Sequence, residues 1–208
     1  MFLCFNKEKG VGMKMVWFMV NSITLNKKHM EQKKIAILAT NGFEESELAS
    51  PKAHLESEGW TVHIVSPEEE RIKAWSDKDW SKDYKVDMPL EKAQEVDYEG
   101  LILPGGVINP DQLRVDDRAI AFIESFFKTK KLIAAICHGP QLLIEAKVLS
   151  GRQATSVKNI STDLKNAGTN WVDEEVVVDD NLITSRTPED LPAFNNAISK
   201  YLTQHAKH

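Results

Sequence analysis

The chain carries two cysteines, Cys4 and Cys137, and the second sits among residues that define its chemistry. Cys137 ends the apolar run Leu132-Ile133-Ala134-Ala135-Ile136 and is followed by His138-Gly139-Pro140-Gln141. A strand that runs into a cysteine and then into a helix makes a sharp turn whose strained backbone pushes the side chain outward. The residues two before and two after such a nucleophile approach closely and must be small; here they are Ala135 and Gly139. Pro140 suits the first helical turn, where its missing N–H is not needed. A helix N-terminus beside the sulfur would favour thiolate, so the thiol is expected to titrate below the usual ~8.5. An inert buried cysteine is the common alternative, but it gives no reason for a small–x–Cys–His–Gly turn.

Two other segments could serve that sulfur. Asn41-Gly42-Phe43-Glu44-Glu45-Ser46-Glu47-Leu48 brings three glutamates after an apolar run; as bare sequence they read as first-turn acids favoured by a helix dipole. Gly105-Gly106 follows Gly100-Leu101-Ile102-Leu103-Pro104. Glycines let backbone N–H groups approach a ligand, and the carboxyl end of a central strand is where open α/β sheets bind ligands. His54, His63, His205 and His208 are scattered, with no metal-ligand spacing, so no metal is expected. The glycine pair lacks the spacing of a dinucleotide or phosphate-binding loop, so no nucleotide cofactor is implied either.

The elements that must position these residues alternate along the chain. Ile35–Ala39, Trp60–Val65, Gly100–Pro104 and Leu132–Ile136 read as strands. Glu45 to Glu58 reads as a helix closed by Gly59, with Leu48, Pro51 near its first turns and Leu55 inward. Asp116 to Lys128 reads as a second helix with Ala119, Ile120, Ile123 and Phe127 on one face, and Pro188 to His205 as the closing one. Strands apolar on both faces between helices imply a mostly parallel sheet in a three-layer α/β/α, flavodoxin-like sandwich with right-handed crossovers. Arg71 to Val86, with Trp75, Trp80 and Tyr84, reads as a hairpin or loop excursion, and Glu174 to Ser185 as a hairpin around Asp179-Asp180-Asn181.

At 208 residues the chain suits one core. Its net charge of −5 argues against a broad nucleic-acid-binding surface. Its cysteine usage suggests a reducing, cytoplasmic setting rather than a disulfide framework. Met13 to Val20 is a basic start and an apolar run too short to span a membrane. Residues 1–32 therefore read as a poorly ordered extension, or as the product of a start upstream of Met30, ahead of a single domain over 33–208.

Ala135-Ile136-Cys137-His138-Gly139-Pro140-Gln141, with Leu103-Pro104-Gly105-Gly106 upstream and Thr184-Ser185-Arg186 downstream, resembles the PfpI-type cysteine enzymes. These are intracellular proteases and protein deglycases of the class I glutamine-amidotransferase-like superfamily. The likeness runs from about Lys33 to Leu202, and residues 1–32 have no counterpart. It implies that Glu47 is the acid bonded to the cysteine sulfur, protonated because two adjacent negative charges are costly and able to relay a proton. It also implies an oxyanion hole from the N–H groups of Gly105, Gly106 and His138. His138 would pair with an acid from a neighbouring subunit, making a homo-oligomer, dimer or hexamer. Asp111 is the matching position, where the family's founding members carry Glu on a loop one residue shorter; capping a short helix is the other reading of Asp111. Arg186 matches a residue that lines or supports the cleft, although packing of its loop explains it equally.

A thiolate, an oxyanion hole and a protonated carboxyl suit attack on an electrophilic carbonyl. Reactive dicarbonyls such as methylglyoxal, free or attached to protein amines, need only the thiolate and a proton shuttle. A glyoxalase III-like or deglycase activity without cofactor is therefore the favoured expectation, giving lactate or a repaired amine. A PfpI-type peptidase is the alternative, since cleavage needs a dependable base and acid for the leaving amine. A redox-sensing stress protein or chaperone is the third, because an exposed reactive thiol is oxidised first.

Overall fold

The strands, in chain order, are β1 (Lys34–Leu38), β2 (Phe43–Glu44), β3 (Thr61–Ser66), β4 (Arg71–Ser76), β5 (Asp79–Lys85), β6 (Met88–Pro89), β7 (Gly100–Leu103), β8 (Leu132–Ile136), β9 (Gln153–Ala154), β10 (Asn170–Trp171), β11 (Val176–Asp179) and β12 (Leu182–Ser185). The helices are α1 (Glu45–Ser57), α2 (Ile108–Leu113), α3 (Asp117–Lys128), α4 (Gln141–Glu145), α5 (Ser161–Asn166) and α6 (Leu191–His205). They come from a computed structural model that describes residues 33–205. The readings of residues 1–32, Cys4 included, and of His208 lie outside the described residues.

Seven strands form the central sheet in the order β11-β12-β8-β7-β1-β3-β6, parallel throughout except for the β11–β12 pair. Period-two alternation explains the apolar runs. Ala36, Leu38, Leu101, Leu103, Ile133 and Ala135 face α3 on one side. Ile35, Ile37, Ile102, Ala134 and Ile136 face α1 and α6 on the other. A strand buried on both faces cannot show a polar stripe, which is why these runs are uniformly apolar. The three layers agree with the α/β sandwich expected from sequence.

Local chemistry fixes the element ends. Gly59, at φ +89°, terminates α1, and the N–H of Trp60 donates back to the Leu55 carbonyl at 3.1 Å. Pro51 lies inside α1, in its second turn, where it denies the Glu47 carbonyl its helical donor. Asp116 caps α3 by accepting from the Arg118 N–H at 2.9 Å. Asp116→Ala is expected to lower stability by about 1 kcal/mol, read as a shifted urea midpoint at unchanged slope.

The buried face of α3 differs from the expected one. Ala119, Phe122, Ile123 and Phe126 point inward, while Phe127 is 37% exposed. Phe122 stacks edge-on against both Phe126 and Tyr98, which fixes the helix rotation. With two adjacent phenylalanines, periodicity alone could not choose between them. The Arg71–Val86 excursion is a hairpin, β4 and β5, turning at Asp77 and Lys78, both with positive φ. β2 adds to it in parallel, opposing Phe43 to Ala74 and Glu44 to Trp75. The β11–β12 hairpin forms as expected around Asp180 and Asn181.

Candidate active site

β8 delivers Cys137 at the carboxyl end of the sheet with φ +61°, a left-handed conformation that only a well-held non-glycine residue keeps. The hold is visible. The Cys137 N–H donates to the Ser185 carbonyl and its own carbonyl accepts from Val157, both at 3.1 Å. Gly139 passes so close beneath the turn that a Cβ there would strike the Leu103 and Ile136 carbonyls. The smallness inferred at position 139 is therefore a contact with backbone, which cannot yield.

The sulfur lies on the floor of a cleft of about 390 Å³. Trp75, Val107, Ile108 and Pro188 form its apolar walls, and Glu44, Glu47 and His138 its polar ones. Glu47, in the first turn of α1, is fully buried and accepts from the Gly105 N–H through Oε2 at 2.7 Å. Burial pushes its pKa up to about 8, against the pull of the Gly105 N–H and the Cys137 side chain. At neutral pH Glu47 therefore mostly keeps its proton.

The thiol departs from expectation. Burial, followed by the negative charge of ionised Glu47, pushes Cys137 up rather than down, while the His138 and Gly106 N–H groups pull the other way. The helix meant to depress it, α4, has only five residues and starts at Gln141. Cleft depth decides the sign, and depth is not written in the local sequence. Sulfur and carboxyl thus compete for one proton, and thiolate forms most readily while Glu47 is neutral.

The glycine pair is required by space. A Cβ on Gly105 would lie 2.7 Å from the His138 nitrogen and 2.8 Å from Glu47 Oε2. On Gly106, at φ +77°, it would lie 2.5 Å from the Gly42 carbonyl oxygen. The Gly105 N–H is taken by Glu47, so Gly106 and His138 supply the N–H groups directed at the sulfur. His138 Nδ1 comes within 3.3 Å of Sγ. Burial lowers the His138 pKa, favouring the neutral ring.

Asp111 stands apart from this group. It is exposed on α2, does not line the cleft, and has no side-chain hydrogen bond or ion pair among the described residues. Nor does it cap the helix, whose N-cap is Val107. Arg186 acts on the rim at one remove. It grips Asp190 through Nε (2.9 Å) and Nη2 (3.1 Å), and Asp173 through Nη1 (2.8 Å), pinning the loop that carries Pro188.

Three residues in or near the site were not singled out by sequence. Asn109 is fully buried and ties the loops together: Oδ1 accepts from the Thr40 N–H at 2.8 Å, and Nδ2 donates to the Pro104 and Gly105 carbonyls at 2.9 and 3.2 Å. Its only sequence signal was the turn-like Asn-Pro pair. Asn109→Leu would strand these backbone groups, and a loss of about 1–3 kcal/mol per unsatisfied buried group is expected in chemical unfolding. Trp75 reaches the cleft only because β4 pairs with β2, a long-range contact without local signature. Glu44 is the N-cap residue of α1, makes no cap bond, and lines the cleft instead.

Among the described residues no group of His, Cys, Asp and Glu is arranged to hold a metal ion, and no helix is long and apolar enough to cross a membrane. Residues 33–201 match the DJ-1/PfpI family. The chain is 45% identical to General stress protein 18 of Bacillus subtilis over 78% of this chain and 94% of that one. It is 44% identical to Protein/nucleic acid deglycase 2 of Escherichia coli over 82% of this chain and 98% of that one. A two-domain protein of Anabaena variabilis, with DJ-1/ThiJ/PfpI-like and ferritin-like domains, superimposes with a TM-score of 0.79 at 37% identity, over 83% of this chain and 48% of that one.

Proposed function

The chain belongs to the DJ-1/PfpI family, and from that premise we propose that it is a cysteine-dependent enzyme of reactive carbonyls, glyoxalase III-like and deglycating, carried by residues 33–208 and acting in the cytoplasm. The observation that carries this reading is the buried pair of Cys137 and Glu47, with Glu47 holding a proton to about pH 8. Thiolate and neutral carboxyl together are what addition to an aldehyde needs: a nucleophile and, beside it, an acid for the forming alkoxide.

The steps balance without a cofactor. Once the thiol proton has passed to water, Sγ adds to the aldehyde carbon of methylglyoxal, and the oxygen, facing the Gly106 and His138 N–H groups, takes the Glu47 proton. The Glu47 carboxylate then removes the hydrogen of that carbon and returns it to the neighbouring one, leaving a lactoyl thioester. Water hydrolyses the thioester to lactate and frees the sulfur. For an adduct on an amine, the nitrogen leaves with a proton when sulfur displaces it, so adduct plus water gives amine plus lactate.

The 3.3 Å contact of His138 with Sγ favours a second reading, a peptidase with a Cys–His pair. Among the described residues no acid orients that pair, and exposed Asp111 could supply one only to another copy, which is the basis for proposing a homo-oligomer. Incubation with a methylglyoxal-treated peptide and with casein separates the readings. Release of free amine and lactate with casein intact is expected; cleavage of casein without deglycation would overturn the carbonyl reading. Sedimentation at two concentrations should show an oligomer, and a strict monomer would remove Asp111 from the chemistry.

A further inference from the structure

A hydroxyl is built into the core beside the nucleophile. β12 lies next to β8, with Thr184 opposite Ala135 and Ser185 opposite Ile136. Thr184 is fully buried, where a valine would fill the same space, and a buried hydroxyl is costly unless it is bonded. Its Oγ1 accepts from the Thr155 N–H at 2.9 Å. Thr155 and Ser156 are also fully buried but belong to no strand. Their backbone groups have no ladder and must find partners one by one. At the end of this short strap the Val157 N–H donates to the Cys137 carbonyl at 3.1 Å. The Trp171 indole N–H holds the middle of the strap by donating to Ser156 Oγ at 3.0 Å, and that hydroxyl donates on to the Val157 carbonyl at 3.0 Å.

Cys137 is therefore held on both sides from β12. The Ser185 carbonyl takes its N–H directly, and Thr184 reaches its carbonyl through the strap. A cysteine at φ +61° stays there only while such holds persist. Relaxed to negative φ, the turn no longer presents Sγ to the cleft. We propose that Thr184 is a positioning residue, whose hydroxyl fixes the strap Thr155–Val157 and thereby keeps Cys137 in the left-handed conformation that aims its sulfur into the cleft. That role rests on Cys137 being the reacting group, whichever carbonyl it attacks. Trp171 is the second clamp on the same strap.

Alkylation by iodoacetamide reads the sulfur without any substrate. At pH 7 the rate on the Cys137 peptide, followed by mass spectrometry, should fall about five- to tenfold in Thr184→Val, the scale of one net hydrogen bond. Thr184→Ser keeps the acceptor and should stay within about twofold of wild type. So should Thr155→Val, which removes from the strap a hydroxyl that has no hydrogen-bond partner among the described residues. An undiminished rate in folded Thr184→Val overturns the proposal, as do equal losses in Thr184→Ser or Thr155→Val. If Thr184→Val does not fold, Trp171→Phe decides: about a threefold loss is expected, and a wild-type rate overturns the proposal. In turnover of methylglyoxal the loss should sit in kcat, with KM within about twofold; a loss confined to KM also overturns it. If the wild type makes no lactate, the carbonyl reading fails, while alkylation still decides the role of Thr184.

Discussion

Cys137→Ser is expected to lower lactate formation from methylglyoxal by more than ~10³-fold, the scale on which losing a covalent nucleophile is felt. Serine preserves the size of the side chain and the strained φ of +61°, so the fold and thermal midpoint should change little. What disappears is an acidic group able to exchange its proton with Glu47. A hydroxyl is far harder to ionise than a thiol, and burial, the largest cause raising Cys137, would make it harder still. Lactate released at an undiminished rate by the variant, in a preparation free of contaminating activity, would move the chemistry away from this residue.

Glu47→Gln is expected to cut activity by roughly 10²–10⁴-fold, the range for removing a general acid and base, and at the same time to stabilise the protein at alkaline pH. The signs follow from its proton. An unfolded glutamate ionises near 4.5, whereas folded Glu47 keeps its proton to about 8. Between those values the folded state binds more protons than the unfolded one, so stability falls as pH rises, and it levels off above about 8. Glutamine never titrates and escapes that loss. Urea unfolding should therefore show the variant gaining on the wild type by up to a few kcal/mol from pH 5 to pH 9. Wild-type activity, which needs the proton on Glu47, should decline as pH rises through about 8. A parallel stability profile in both proteins would mean that Glu47 is ionised in the fold.

The sheet was legible because its strands, buried on both faces, left apolar runs ending at turns, and because Gly59, Asp116 and the Asp180–Asn181 turn mark element ends by local chemistry. The Cys137 turn was legible for the same reason: it is a short-range geometry with a short-range signature. Features made by distant contact were not. Trp75 enters the cleft through the β2–β4 pairing, Asn109 bridges loops that follow different strands, and the aromatic contacts of Tyr98 and Phe122 set the rotation of α3. Between Gln141 and Trp171 the elements have at most six residues, too few for periodicity to register. The direction of the Cys137 shift failed for a related reason, since desolvation depends on what folds over the sulfur.

A thiolate and a shared proton are expected to suffice for carbonyl chemistry in this cleft. The most direct measurement follows lactate from methylglyoxal at pH 7 with purified protein and no added cofactor. The structure predicts steady release over many turnovers, with the rate proportional to enzyme concentration. Consumption of methylglyoxal that stops near one equivalent, with no lactate in solution and a stable adduct on Cys137, would contradict it.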